Sequence, residues 1–234
     1  MTPQYFTLWR DVLQTLSPTL WMIGIVAGSL LSTGVNILAD WLPGHLQYPG
    51  SSPQERRRIR RWLATWLACS LLGVLALARI WSIWGGWRPW LYGVVLVYGG
   101  LLIATAVIDI EYRRVPNVLL LPLAALAMIV AGLHAQYNQA VMGGVIGWLM
   151  FHTAAALRPG ALGLGDIKLA AVIGLMLGFP NAVYALGFGI IAGGLGALGL
   201  ILARRATLKS TLAYAPYLVL GGLVVLLQHL EVIG

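Results

Sequence analysis

The chain has 234 residues, of which 59% are hydrophobic and only 9% are charged. This composition lies outside the range of soluble domains and is typical of an integral membrane protein. The formal net charge of +8 therefore concerns membrane orientation and anionic lipids, and we expect no nucleic-acid partner.

Apolar segments of about 20 residues, the length that crosses a membrane as a helix, recur along the chain. Short stretches that contain Pro, Gly, Asn or Arg separate these segments. Eight segments qualify or nearly do: approximately 19–40, 62–80, 90–110, 115–133, 140–157, 161–179, 182–203 and 212–230. The sixth is the weakest, because it is short and contains charges. We predict an all-α, polytopic membrane helix bundle of about eight transmembrane helices, in a single integral membrane domain over residues 1–234.

The first segment has no convincing small-residue cleavage site, so we interpret it as a retained span instead of a signal peptide. A short basic loop at about 43–61 follows it and includes most of "PQERRRIRRW" at 53–62. We expect a short basic helix that lies on anionic headgroups, although a pure topology anchor is the simpler interpretation. The single cysteine, Cys69, excludes an internal disulfide and a cysteine-based zinc site.

Lys and Arg are distributed unequally between the two sides of the predicted bundle. Twelve of the fifteen lie in the connections 1–2, 3–4, 5–6 and 7–8, and three lie on the other side. By the positive-inside rule the first side is cytoplasmic, and both termini are extracytoplasmic.

The seven carboxylate side chains can be sorted by elimination. Asp11 and Glu231 lie in the predicted outer tails, and Glu55 is next to five arginines. Asp40 ends the first span, where we interpret it as a solvated helix end. Asp109, with Glu111 beside it, closes the third segment, and Asp166 lies about a turn inside the sixth. A carboxyl in hydrocarbon costs at least about 3 kcal/mol. Two carboxyls at similar depth can share a proton and a water, which is the minimum apparatus of aspartic proteolysis.

A structural explanation of these acids is that each pairs with a nearby cation. Arg113 and Arg114 are credible partners for Asp109. Lys168 is a poor local partner for Asp166, because residues two apart on a helix do not face each other.

Two blocks of sequence resemble the signature blocks of type IV prepilin peptidases, which are bacterial GxGD intramembrane aspartic proteases. The first is "AVIDIEYRRVPNVLLLPL", with Asp109 seven residues before Pro116-Asn117. The second is "RPGALGLGDIKLAAVIGLMLGFP", with Gly163, Gly165 and Asp166 followed by Lys168. "GGVIGWLMF" at 143–151 and "YAPYLVLGG" at 214–222 are also similar to family segments.

The resemblance implies a prepilin leader peptidase with Asp109 and Asp166 as catalytic residues and a catalytic core at about 90–234. It would act at the cytoplasmic side of a bacterial inner membrane, and its substrates would be pilin-like precursors with short basic leaders. We assign to substrate binding the other residues of the two blocks, namely Gly163, Gly165, Glu111, Pro116, Asn117 and Lys168. A homo-oligomer remains open.

One departure from the family concerns the loop between the first two spans. Typical bacterial members carry two Cys-x-x-Cys pairs there, which would bind zinc, and use S-adenosylmethionine to methylate the new amino terminus. Here the region reads "GHLQYPGSSPQERRRIRR". We therefore expect no metal and no cofactor, with S-adenosylmethionine needed only if methylation is retained. In this respect the chain is similar to archaeal preflagellin peptidases.

Alternatives remain at two levels. Gly163 and Gly165 remove side chains beside Asp166 and would admit an extended substrate backbone, but they could equally permit a close helix contact. For the whole chain, a proton-coupled transporter would also use buried acids and Gly-broken helices. A non-catalytic scaffold of the same fold is the third interpretation.

Overall fold

The computed structural model describes residues 17–46, 48, 55–157, 162–203 and 213–230. Within these ranges it contains eight α-helices and no strand, which confirms the all-α fold class. The helices are α1 (Pro18–His45), α2 (Glu55–Trp84), α3 (Pro89–Tyr112), α4 (Asn117–Leu133), α5 (Tyr137–Leu157), α6 (Leu164–Leu177), α7 (Asn181–Leu202) and α8 (Ala215–Gln228). Each corresponds to one predicted segment.

The helices differ in length more than the sequence prediction assumed. Five helices of the described chain, α1, α2, α3, α5 and α7, are long and apolar enough to cross a membrane. The other three have 17, 14 and 14 residues, which is about 26, 21 and 21 Å at 1.5 Å per residue. A hydrocarbon core is about 30 Å thick. The protein is an integral membrane protein, and the polytopic helix bundle is confirmed, with five helices of the described chain long enough to cross a membrane and three that are shorter.

The chain divides into two compact units, Met1–Ala104 and Thr105–Gly234. The first contains α1, α2 and most of α3, and the second contains the end of α3 and α4 to α8. Both acids singled out by the sequence lie in the second unit. The single-domain organisation stays a prediction.

In the first unit, α1 packs closely against α2. Gly28 lies against the backbone of Cys69, and Cys69 is fully buried, so its role is packing. The predicted basic helix is not a separate element, because Glu55 to Arg61 form the first turns of α2. One continuous helix therefore carries the arginines into the apolar segment.

Asp40 is an ion-pair partner and not the solvated helix end that the sequence predicts. Arg58 Nη2 lies 3.0 Å from one of its oxygens, and Arg61 contacts the other. Arg61 is buried and also donates to the side chain of Asn36 at 3.1 Å. Asn36 in turn donates to Thr65 at 2.6 Å. A buried arginine is costly in hydrocarbon unless it is paired in this way.

In the second unit, α6 lies at the centre and packs against α4, α5, α7 and α8. Its contact with α5 depends on Gly143 and Gly174. A Cβ at either position would clash with the backbone carbonyl oxygen of the other. The two backbones therefore touch directly, as small residues allow in membrane helix packing.

We expect Gly143→Ala to destabilise the second unit by roughly 1–3 kcal/mol, because the added methyl group meets rigid backbone. Thermal unfolding of the purified protein in detergent measures the change. Gly194→Ala is the matched control on α7, where an added Cβ meets nothing within 4 Å. That change removes glycine flexibility and should stabilise the helix by roughly 0.5–1 kcal/mol. Equal melting temperatures for the two variants would contradict the close contact.

Candidate active site

Asp109 lies near the carboxyl end of α3 and is 5% exposed. Its Oδ2 accepts a hydrogen bond from the backbone N–H of Ala215, at 3.2 Å. Ala215 is the first residue of α8. The N–H groups of a helix start have no partner inside the helix and carry the positive end of its dipole, so they stabilise a carboxylate. The sequence alone gave no indication of this partner.

The chain turns sharply just after Asp109. Arg113 has a φ of +54°, and its N–H donates to the Asp109 carbonyl at 2.9 Å. A left-handed residue commonly ends a helix in this way, but a non-glycine side chain there costs roughly 1–2 kcal/mol. The Arg113 side chain also interacts electrostatically with the Asp109 carboxylate. The turn therefore brings a cation back toward the acid.

Asp166 is the third residue of α6, which begins after the extended N-cap residue Gly163. Its Oδ2 accepts the backbone N–H of Gly163 at 3.3 Å. This is half of a capping box, and a carboxylate in the first turn also suits the helix dipole. Its Oδ1 is buried and has no hydrogen-bond partner among the described residues. Helix capping therefore accounts for the hydrogen bond at Oδ2 of Asp166, but it does not account for the burial of Oδ1 without a donor.

The fold brings the two acids together. The carboxylate of Asp166 interacts electrostatically with that of Asp109, although 57 positions separate them in the sequence. Both oxygens that accept hydrogen bonds do so from backbone N–H groups at the start of a helix. The remaining oxygen of Asp166 has no donor in the described part of the chain, so it can accept a water or share a proton.

Tyr214 is a site residue that the sequence analysis did not single out. Its side chain interacts electrostatically with Asp166, and its neighbour Ala215 donates to Asp109. The centroids of the Tyr214 and Phe151 rings lie 6.0 Å apart. A Cβ added to Gly193 would lie 2.8 Å from the Tyr214 ring. The only sequence signal was "YAPYLVLGG", with a proline in the first turn of a helix. Tyr214 and Ala215 together therefore adjoin both acids.

The other predicted site residues lie around these acids in different roles. Lys168 donates to the side-chain oxygen of Asn117 at 3.2 Å and so links the two sequence blocks. Pro116 is buried as the N-cap of α4, and Glu111 is half-buried. Within the described part of the chain, no group of three His, Cys, Asp or Glu side chains is placed to hold a metal ion.

Gly163 and Gly165 differ sharply in their surroundings. A Cβ on Gly165 would lie 2.8 Å from Val115 Cβ, in the turn after α3. A Cβ on Gly163 would meet Asp166 Oδ2 at 3.4 Å and the backbone nitrogen of Gly165 at 3.9 Å, which are ordinary contact distances. Gly165 therefore makes a close packing contact, whereas Gly163 is exposed and unobstructed.

We expect Gly165→Ala to destabilise the protein by roughly 1–3 kcal/mol, because Val115 has to move. Gly163→Ala should leave the melting temperature unchanged, since its surroundings have room for a methyl group. Thermal unfolding of both variants in the same detergent provides the test. A stability loss at Gly163 as large as that at Gly165 would contradict this difference.

Comparison with known proteins finds similarity in the region that carries both acids. Residues 96–198 match the model of the type IV leader peptidase family. A prepilin leader peptidase/N-methyltransferase of Bacillus subtilis (strain 168) is 34% identical over 142 residues, covering 59% of this chain and 57% of that protein. A protein of the same description from Stutzerimonas stutzeri is 29% identical over 178 residues, covering 72% and 58%.

A third relative is the type 4 prepilin-like proteins leader peptide-processing enzyme of Escherichia coli O78:H11. It is 29% identical over 166 residues, which cover 65% of this chain and 57% of that protein. The chain thus matches a little over half the length of these relatives. No solved structure matches the chain significantly.

Proposed function

Because residues 96–198 belong to the type IV leader peptidase family, we propose that this chain is a membrane-embedded aspartic endopeptidase. Its substrates would be pilin-like precursors, from which it removes a basic leader. The observation that carries the proposal is the pairing of Asp109 and Asp166, in which one carboxylate oxygen has no partner among the described residues. An acid kept in an apolar bundle without a full set of partners is a functional group by default.

The chemistry follows from two carboxyls that share one proton. The ionised carboxylate takes a proton from a water as the water oxygen attacks the carbonyl carbon of the scissile peptide. The protonated carboxyl gives its proton to the carbonyl oxygen, which yields a tetrahedral diol. Collapse of the diol breaks the C–N bond. The carboxyl that took the water proton gives it to the leaving nitrogen, and the other carboxylate takes a proton from a diol hydroxyl, which restores the singly protonated pair. The backbone N–H groups of Gly163 and Ala215 hold the two carboxylates in place during these transfers.

Gly163 is the position where we propose that the extended substrate approaches. It is exposed, directly precedes α6 and has no side chain to obstruct a second backbone beside Asp166. A helical peptide bond is shielded, so the substrate has to be extended there, and main-chain pairing is the usual means of holding such a segment. Gly165 contributes by packing against Val115.

Replacing either acid with its amide should abolish leader cleavage, because an amide neither ionises nor carries the shared proton. We expect at least a 1,000-fold loss, roughly 4 kcal/mol of barrier, for Asp109→Asn and for Asp166→Asn. Co-expression with a pilin-like precursor, followed by gel analysis of leader removal in membranes, measures it. Glu111→Gln is the matched control and should be much milder, because residues two apart on a helix do not face each other. Normal processing by either Asp variant would eliminate the mechanism.

Tyr214→Phe should lower the turnover rate, because it removes the hydroxyl of a side chain that interacts electrostatically with Asp166. The substrate concentration for half-maximal rate should change little, since the ring remains in place. Tyr217→Phe is the matched control, because the Tyr217 hydroxyl lies against Gly196 instead of the acids. Equal rates for the two variants would restrict Tyr214 to packing.

Orientation, cofactors and partners complete the proposal. The excess of Lys and Arg in alternate connections supports an active site at the cytoplasmic side of a bacterial inner membrane, with both termini outside. We propose that cleavage needs neither metal nor cofactor. S-adenosylmethionine would serve only N-methylation, the second activity in the names of two relatives. Anionic membrane lipids are the other proposed partners.

The transporter alternative has no comparable support. The three relatives named above carry peptidase or leader-processing names. Both acids and the glycines around them fall in one unit of the structure, whereas a transporter site usually lies between related halves.

A further inference from the structure

A groove runs along the contact between α1 and α2 in the first unit, away from both acids in the sequence. Its volume is about 530 Å³, which lies within the range of small-molecule sites. From α2 it is lined by Arg58, Trp62 and Trp66 at four-residue spacing, with Leu63 between them. The helix rises about 12 Å from Arg58 to Trp66, so the α2 wall of the groove extends about 12 Å along the helix axis.

The charged end of the groove is positive. Arg58 is 55% exposed at its side chain, and it shares the carboxylate of Asp40 with the buried Arg61. Two guanidiniums thus face one carboxylate, which leaves an excess positive charge at the groove. An exposed guanidinium can donate two parallel hydrogen bonds to a phosphate without releasing its existing partner.

The rest of the groove is apolar with a few hydroxyl groups. Leu63 and Trp66 are 59% and 43% exposed, and Trp66 Nε1 donates to Ser29 Oγ at 2.9 Å, which fixes the indole ring. Thr33 lies on the opposite wall. Indole rings are enriched where acyl chains meet headgroups. The groove thus has a cation at one end and indole and leucine side chains along the rest of its α2 wall, which matches a charged headgroup followed by an apolar chain.

We infer that this groove binds one anionic phospholipid, with its phosphate on Arg58 and the upper part of an acyl chain between Trp62, Leu63 and Trp66. Charge complementarity favours an anionic lipid over the main competing occupant, which is the leader of a precursor protein. Precursor leaders of the proposed substrates are basic, and the excess charge at Arg58 would repel them. An anionic headgroup is attracted by the exposed guanidinium of Arg58, the one arginine that lines the groove among the described residues.

The test uses the full chain, purified in detergent and titrated with phosphatidylglycerol or phosphatidylcholine, with bound lipid counted by native mass spectrometry. We expect phosphatidylglycerol to bind more tightly, and Arg58→Gln to weaken its binding about fivefold, the effect of one cation near a headgroup. Arg60→Gln is the matched control. It removes the same charge from the same helix, but Arg60 does not line the groove, so binding should stay within about twofold of the unmodified chain.

Thr33→Phe provides a second, independent variant, because a ring at this position fills the groove without touching the Arg58–Asp40 pair. It should reduce binding of both lipids. Melting temperatures measured for each variant separate loss of the site from loss of the fold. Equal phosphatidylglycerol binding by the Arg58 and Arg60 variants, or full binding by Thr33→Phe, would overturn the inference. So would precursor binding that is lost in Arg58→Gln and Thr33→Phe while lipid binding is kept.

Discussion

The need to stabilise two carboxylates inside an apolar bundle determines the architecture of the second unit. Ionised groups are tolerated in such surroundings only where donors or opposite charges replace water. Here the donors are backbone N–H groups at helix starts, Gly163 before α6 and Ala215 at the beginning of α8. A helix start is a fixed donor that needs no side chain and adds the field of its dipole. The acids are therefore stabilised by backbone donors, and in the case of Asp109 also by the charge of Arg113.

This solution explains why α6 and α8 are short. A helix whose first N–H groups have to meet a carboxylate cannot begin at the membrane surface if the acid lies deeper. Both helices have 14 residues, about 21 Å, whereas a full span needs about 30 Å. A helix of this length that ended at the far surface would therefore begin about 9 Å below the near surface. The proposed cleavage would require water and an extended peptide to reach this depth.

The central position of α6 depends on glycine as well. Gly143 and Gly174 let α5 and α6 touch through their backbones, which leaves room for α4, α7 and α8 around the same short helix. Gly165 serves the same purpose at the other end, where Val115 packs on it. Glycine in a helix has a conformational cost of roughly 0.5–1 kcal/mol per residue. Here the close packing that surrounds Asp166 offsets that cost.

The sequence predicted those features that depend on composition and local pattern. Eight apolar segments indicated eight helices, and elimination among seven acids led to Asp109 and Asp166, which the structure brings together. It did not predict the Ala215 donor, because a backbone N–H has no sequence signature and the bond spans 106 positions. Nor did it distinguish Gly163 from Gly165, since their difference depends on where the turn after α3 packs.

Asp40 shows why the functional assignment favours the second unit. Its two oxygens each face an arginine, and Arg61 continues the network to Asn36 and Thr65. A polar network in which every member has partners stabilises one packing arrangement and has little capacity to move a proton. Asp166 retains an oxygen without a hydrogen-bond donor among the described residues, beside a second carboxylate that repels it. Such an arrangement reduces stability, and the proposed peptide hydrolysis would use the same unsatisfied oxygen to bind water and exchange a proton.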